Sequence, residues 1–382
     1  MRAVRGIVSG FGAANLQIKI VRRPESAPRT IGMKKLIKGN DAIAMAAIEA
    51  GCRYYYGYPI TPQNDIPEYF AREFPKIGGV FLQAESEIGA INMVLGSAAA
   101  GKRAMISSSG PGISLMQEGI SYMSGSEVPA VIVNIQRSGP GLGGISPSQG
   151  DYFQATRGGG HGDYRTPVFA PASVQEMYDL TFLAFDVADD YRNPVVILAD
   201  GMLGQMKEPL DLRHPSGREL APKTWALTGC AGRKPQLLKS LYLGHRELDK
   251  HCWHLWEKYQ KIREKEIRFE EVLTNDADLI LVAFGSAARI SKTAVMDARK
   301  DGLKVGLFRP ISLFPYPEKR LEELAKKAKA FLVVELNTGQ MLEDVKMSVG
   351  KDNPIHFYGR PPGADALPMP VEILDQIREV YP

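Results

Sequence analysis

Apolar residues recur along this chain with two different periods, and the switching between them predicts its fold. The stretch "DAIAMAAIEAGC" (41–52) is apolar and alanine-rich, ends at Gly51, and predicts a helix. "RYYYGYP" (53–59) and "VFLQ" (80–83) predict short strands, and "SEIGAINMVLGSAAAG" (86–101) a helix whose small residues permit close packing. "RAMISSSG" (103–110) reads as a strand running into a glycine loop, followed by a helix from Ile113 to about Met123. "PAVIVNIQ" (129–136) is almost continuously apolar, as a strand buried on both faces of a parallel sheet must be. A long glycine-rich loop follows, then a helix over "VQEMYDLTFLAFDVADDY" (174–191) and a strand over "PVVILAD" (194–200). Strand and helix in alternation make a doubly wound α/β domain.

The rhythm breaks between 206 and 275. Pro209, Pro215 and Pro222 punctuate a polar connector, and a charged helix is expected from about Arg246 to Glu271. Its apolar stripe runs through Leu248, Cys252, Leu255, Tyr259 and Ile262, which suits packing on its own domain or on a partner subunit. From 276 a second α/β unit begins: strand "ADLILVAFGS", helix "SKTAVMDARKDG", strand "KVGLFRP", helix "PEKRLEELAKKAKA", strand "AFLVVELN". The expected divisions are an extension over 1–32, an α/β domain over 33–208, the connector over 209–275 and a second α/β domain over 276–382. Residues 1–32 are basic with one acid, Glu25, and read as a disordered or mis-started extension ahead of Met33.

Composition narrows the function classes. With 382 residues, 44% apolar and 24% charged, the chain has ample core for two or three domains. A net charge of +4 gives no reason to expect nucleic acid or a membrane as partner. Cys52, Cys230 and Cys252 are scattered, so this chain alone builds no four-thiolate metal or cluster site, and a reducing cytoplasm suits it.

In an open parallel sheet the strands' carboxyl ends share one edge, and ligands bind in the crevice there. Thr61 follows the tyrosine strand, Glu87 follows "VFLQ", Ser107 to Gly112 follow the third strand, and Arg137 follows "VIVNIQ". Each also has a structural explanation. Thr61 suits a helix cap, Glu87 a helix's first turn, and the "SSSGPG" and "SGPGLGG" loops tight packing. Arg137, bordering a buried strand, needs an anion from protein or ligand. "GGGHGDYR" (158–165) adds His161, Asp163 and Arg165 on a long loop; His161 fits catalysis and a bonded loop residue equally well.

"GYPITP", "ESEIGA", "SSSGPG" and "NIQRSGPG", in this order, resemble the pyrimidine-binding domain of the thiamine-diphosphate-dependent 2-oxoacid:ferredoxin oxidoreductases. "RPISLFPYP" and "VVELNTGQM" resemble that family's transketolase C-terminal-like α/β domain. Within the family the loop 139–165 is most similar to the 3-methyl-2-oxobutanoate (2-ketoisovalerate) branch, with the 2-oxoglutarate branch second. The resemblance implies that Glu87 bonds the pyrimidine N1′ and so favours the tautomer whose 4′ nitrogen removes the thiazolium proton. It implies that Thr61 and Arg137 bind the 2-oxoacid, with Pro59, Ile60, Gly110 and Gly112 shaping the cofactor pocket and His161 and Arg165 as further substrate candidates. "ADGMLG" has no asparagine in the stretch after it, so the diphosphate half and its Mg²⁺ are expected on a β-type subunit. The resemblance also implies [4Fe–4S] clusters on partner subunits, a γ-type subunit, a ferredoxin-like δ subunit or ferredoxin, and coenzyme A as co-substrate. A 2-oxoglutarate enzyme would need a second cation, for which Arg165 is the candidate. A non-catalytic scaffold is the alternative from another class.

Overall fold

The computed structural model describes residues 34–212, 218–362 and 367–382; the expected extension over 1–32 lies outside them. In chain order the elements begin with β1 (Lys35–Lys38), α1 (Gly39–Glu49), β2 (Tyr54–Gly57), α2 (Asp65–Ile77), β3 (Val80–Gln83), α3 (Glu87–Ala99) and β4 (Ala104–Ser108). They continue with α4 (Pro111–Leu115), α5 (Gln117–Gly125), β5 (Ala130–Gln136), α6 (Tyr152–Arg157), β6 (Val168–Phe169), α7 (Val174–Tyr191), β7 (Pro194–Asp200), α8 (Gly201–Gln205) and β8 (Lys207–Leu210). α9 (Glu247–Lys265) and β9 (Phe269–Val272) lead into β10 (Leu279–Val282), α10 (Gly285–Lys300), β11 (Val305–Pro310), β12 (Ser312–Phe314) and α11 (Glu318–Ala325). β13 (Ala330–Glu335), α12 (Met341–Val349), β14 (Ile355–Gly359) and α13 (Pro370–Val380) complete the chain.

The apolar strands stack as their burial requires. The first sheet has the order β12-β6-β7-β5-β4-β2-β3, and every pairing in it is parallel except that of β12 with β6. β5 and β7 are buried at every position, so both faces are covered by helices. On one face α1 and α7 pack together, and Tyr55 stacks on Phe70 at 4.5 Å. The second sheet has the order β14-β13-β10-β11-β9, with β9 antiparallel at its edge.

Three local expectations change. The helix expected from Ile113 divides into α4 and α5 at Met116, which is fully buried. The charged helix ends at Lys265, short of Glu271. Glu266 is buried there, where Tyr191, Arg218 and Arg268 all bond its carboxylate, and Phe269–Val272 then pairs with β11. Its expected stripe is only half a core. Leu255, Tyr259 and Ile262 are buried, Cys252 is partly so, and Leu248 is half exposed. The two-residue β6 and three-residue β12 are too short to show a period, and together they carry the second domain's chain onto the first sheet.

Candidate functional site

The proline-rich turn after β2 is held from three sides. Tyr55 Oη and Ser107 Oγ lie 2.7 Å apart, Ser107 Oγ donates to Gln63 Oε1 at 2.5 Å, and Gln63 Nε2 donates to the Tyr58 carbonyl at 3.2 Å. The Pro62 carbonyl accepts from Asn40 Nδ2 at 2.9 Å and from Gln205 Nε2 at 3.0 Å. Gln63, Ser107 and Asn40 are fully buried, and burial pushes the Tyr55 hydroxyl well above its ordinary pKa, so it stays a neutral donor or acceptor. The breakers around Thr61 therefore build a rigid turn that leaves Pro59 and Thr61 facing solvent, with Ile60 half-buried.

Glu87 opens α3 behind Ser86, whose hydroxyl accepts from Gly89 N and caps the helix. The Glu87 side chain is buried, and its Oε1 accepts from Ser108 Oγ at 2.9 Å. Oε2 accepts no hydrogen bond among the described residues. Glu85, two residues earlier, is exposed. Gly112 is required here: a Cβ on it would come within 2.1 Å of both Glu87 Oε1 and Ser108 Oγ.

Arg137 closes the other side of the crevice. It is 8% exposed, with one terminal nitrogen donating to the Thr61 carbonyl at 3.1 Å and the other to the Leu142 carbonyl at 3.4 Å. Its Nε is buried without a partner, and no carboxylate pairs with it among the described residues. Ser109 Oγ is also buried and unpaired. A Cβ on Gly110, whose φ is +46°, would meet Arg137 Nε at 3.3 Å. Thr61, Arg137, Gly110, Gly112 and Glu87 thus follow one another along the edge formed by the carboxyl ends of β2, β3, β4 and β5. Its rim is apolar and exposed at Tyr58, Leu82, Ile88, Leu115, Leu142 and Ile145, an unusual concentration for an unpartnered surface.

His161 and Arg165 are not brought there. His161 is exposed, its carbonyl accepting from Ser121 Oγ at 2.9 Å. The Arg165 carbonyl accepts from Asn193 beside the start of β7, and its guanidinium bonds the Tyr164 carbonyl at 2.8 Å. It stands at the amino edge of the sheet, a strand's length from Arg137. The register of β6 on β7 forces this, since Val168 pairs with Val196. Asp163 is exposed and has no ion pair with Arg165 among the described residues.

Asp200, from "ADGMLG", has both oxygens engaged. Oδ1 caps α8 through Met202 N and Leu203 N, and Oδ2 accepts from Ser286 Oγ at 2.5 Å. Burial raises its pKa, and these bonds act against the rise. Among the described residues no three His, Cys, Asp or Glu side chains gather as metal ligands would, and no helix is long and apolar enough to cross a membrane. Sequence reading gave no individual role to Ser108, Ser109 or Gln63. Their signal was present as serines ending a fully buried strand and an amide between two helix-breaking turns.

Residues 45–229 match the family of pyruvate flavodoxin/ferredoxin oxidoreductase thiamine-diphosphate-binding domains, and residues 277–371 match pyruvate:ferredoxin oxidoreductase core domain II. Ketoisovalerate oxidoreductase subunit VorB of Methanothermobacter marburgensis is 52% identical over 83% of this chain and 90% of its own. The 2-oxoglutarate synthase subunit KorA of Methanocaldococcus jannaschii is 40% identical over 82% and 91%. Among solved structures, the 2-oxoglutarate:ferredoxin oxidoreductase of Magnetococcus marinus, with 2-oxoglutarate, coenzyme A and succinyl-CoA bound, superposes with a TM-score of 0.81 at 27% identity. The match covers 92% of this chain and 66% of that one.

Proposed function

This chain belongs to the thiamine-diphosphate-binding subunits of the 2-oxoacid:ferredoxin oxidoreductases, and from that premise we propose that it is the α-type catalytic subunit of a ketoisovalerate-oxidising complex. The complex decarboxylates 3-methyl-2-oxobutanoate, passes two electrons one at a time to ferredoxin, and delivers the acyl group to coenzyme A with release of CO₂. The observation that carries the reading is the shared edge itself: a buried arginine with an unpartnered Nε and a buried Glu87 whose Oε2 accepts no hydrogen bond among the described residues both stand at the carboxyl ends of the strands. Leaving the buried Arg137 Nε–H unpaired costs about 1–3 kcal/mol, a cost that a bound ligand offsets.

The residues present fit half of the cofactor. Glu87 Oε2 is free to meet a ring nitrogen, Ser108 keeps the carboxylate turned toward it, and Gly112 leaves the space that a side chain would fill. Thiamine diphosphate supplies the carbon nucleophile and the electron sink for decarboxylation. Glu87 holds the proton at the ring nitrogen and so sets the basicity of the cofactor's amino group. Arg137 binds the 2-oxoacid carboxylate through Nε–H, already fixed by its bonds to two carbonyls, and a lysine has no such fork. Thr61, on a turn that does not yield, offers its hydroxyl to the keto oxygen as charge develops there. Pro59, Ile60 and Gly110 shape the wall. A β-type subunit brings Mg²⁺ and the diphosphate half, and docks on the apolar rim. The γ-type subunit and a ferredoxin-like subunit or ferredoxin, with [4Fe–4S] clusters, carry the electrons away in the cytoplasm.

A branched-chain substrate is favoured over 2-oxoglutarate because Arg165, the candidate for a second carboxylate, stands on the far edge of the sheet. The higher identity to the ketoisovalerate subunit agrees. The test is an anaerobic substrate panel on the complex with its partners, thiamine diphosphate, Mg²⁺, coenzyme A and a dye acceptor. Fastest reduction with 3-methyl-2-oxobutanoate is expected. A preference for 2-oxoglutarate would overturn the substrate assignment, and no reduction with any 2-oxoacid would overturn the catalytic one.

A further inference from the structure

Backbone carbonyls before, at and after Thr61 are all held by hydrogen bonds. The Thr61 carbonyl accepts from Arg137, and the Pro62 carbonyl from Asn40 and Gln205. The Tyr58 carbonyl accepts from the side chain of Gln63 at 3.2 Å, and the Ile60 carbonyl from the Gln63 backbone N–H at 3.2 Å. Gln63 therefore holds the turn on both sides of Pro59. It does so from within, being fully buried while Thr61 is exposed.

The direction of the bonds behind Gln63 follows from their far end. A carbonyl only accepts, so the Gln63 amide turns Nε2 to Tyr58 and Oε1 to Ser107. The Ser107 hydroxyl then donates to Oε1, and the Tyr55 hydroxyl donates to Ser107 Oγ. Burial keeps the Tyr55 proton in place by pushing that hydroxyl's pKa up. The backbone makes room for this line of bonds: a Cβ on Gly57 would come within 2.7 Å of Tyr55 Oη. Three polar side chains, each fully buried, thus run from β2 across β4 to one carbonyl of the turn. Filling the space beneath the turn would need only a methionine, without the desolvation of an amide. What the amide adds is direction. It fixes the Tyr58 carbonyl on one side of Thr61 while Arg137 and Asn40 fix the carbonyls on the other, which leaves the Thr61 hydroxyl little room to move.

We propose that Gln63 is a positioning residue for the reaction, acting through Thr61, with Ser107 and Tyr55 as its support. The inference rests on the function proposed above, in which the Thr61 hydroxyl bonds the keto oxygen as charge develops there. A hydroxyl displaced by about 1 Å loses most of that stabilisation, because a preorganised donor works only where the charge appears. Gln63 itself, beneath the turn, meets neither substrate nor cofactor.

The test is steady-state kinetics of the assembled complex with 3-methyl-2-oxobutanoate, wild type beside Gln63→Met and Gln63→Glu. Gln63→Met keeps the shape and removes both side-chain bonds. Its kcat is expected to fall about 10- to 100-fold while KM changes less than about fivefold, since Arg137 keeps its charge and its bond to Leu142. Gln63→Glu adds a readout that packing alone does not move. Protonated, the introduced carboxyl reproduces the amide, accepting from Ser107 and donating to the Tyr58 carbonyl; ionised, it has no proton for that carbonyl. Burial raises its pKa, so kcat is expected to match wild type at low pH and to fall toward that of Gln63→Met as pH rises through that pKa. The wild-type profile lacks this step. A Gln63→Met complex with kcat within about threefold of wild type, or a loss carried by KM with kcat intact, would overturn the proposal. So would a Gln63→Glu profile parallel to wild type, and that profile decides alone if Gln63→Met does not assemble. An active wild type with unaffected variants removes this inference only, whereas a wild type that turns over no 2-oxoacid removes the proposed function and this inference with it.

Discussion

Among the described residues the two large sheets are mostly parallel, and the chain treats the carboxyl ends of their strands in opposite ways. At the second sheet the chain fills the crevice itself. Gln149 donates to the Phe284 carbonyl at 2.8 Å and accepts from Leu336 N at 3.0 Å, while Asn337 donates to the Gln149 carbonyl at 2.8 Å. Gln340 bonds the Gly150 carbonyl, and Tyr152 donates to Asp344 at 2.5 Å. Glu335 is buried, which raises its pKa, but it accepts from Met341 N, Leu342 N and Asn337. At the first sheet the corresponding groups are left open: Arg137 Nε, Ser109 Oγ and Glu87 Oε2 have no partner among the described residues. The same architecture thus provides a joint in one place and, on the proposed function, a binding site in the other. What separates them is that Gln149, Asn337 and Glu335 find partners within the chain while Arg137 Nε and Ser109 Oγ do not; Tyr316 Oη, near Glu335 and Asp344, is the one named group of the joint left unpaired.

That contrast can be broken by experiment, beginning with the open crevice. Glu87→Gln should lower kcat/KM of the assembled complex by about 10²- to 10⁴-fold, because the amide cannot hold the proton. Assembly and thermal midpoint should stay as they are, and a loss under tenfold would remove Glu87 from the mechanism. In the filled crevice, Gln149→Leu should lower stability by about 3 kcal/mol, since the Phe284 carbonyl and Leu336 N–H are stranded in a buried joint. Denaturant titration checks this, and turnover of the folded complex should be unaffected. If turnover instead falls with stability intact, the second crevice is a site and the contrast fails.

Arg137→Lys should raise KM for the 2-oxoacid by about tenfold to thirtyfold while stability changes little, as the charge remains and the fork is lost. Equal loss for an uncharged ligand of the same shape would argue against carboxylate recognition. The smallest effect lies outside both crevices. Burial pushes Lys258 down to about 8 despite the neighbouring Glu127 carboxylate, which acts in the opposite direction. An unfolded lysine titrates near 10.4, so between pH 8 and that value the unfolded chain binds more protons than the folded one and stability rises with pH. From pH 8 to 9 the gain should be ~1 kcal/mol. It should vanish in Lys258→Met, as read by the pH dependence of unfolding in the two proteins.

The parts of the fold that could be read from the sequence are those with enough residues to display a period. β5 and β7 announce themselves as runs buried on both faces, and α1, α3 and α7 begin or end at a capping serine or a glycine. β6 and β12 have too few residues for any pattern, and β9 is hidden in a charged stretch that suits a helix equally well. In the crevice, Thr61, Glu87 and Arg137 stood out because each follows a strand and breaks its pattern. Ser108 and Ser109 did not, since a serine beside glycine reads as loop whether or not its hydroxyl has a partner.

By itself, then, the sequence determined the longer strands and helices, their parallel arrangement, and which residues arrive at the carboxyl edge. Those follow from periodicity and from the handed geometry of strand–helix–strand units, both local in the chain. Only the tertiary structure decided that Glu87 is buried and Glu85 exposed, that Arg137 keeps an unpaired nitrogen, that Arg165 lies on the far edge, and that Gln149 plugs the second crevice. Each of these depends on whether a polar group meets a partner distant in sequence. Burial removes water as the alternative, and the chain's path through space determines which partner is there.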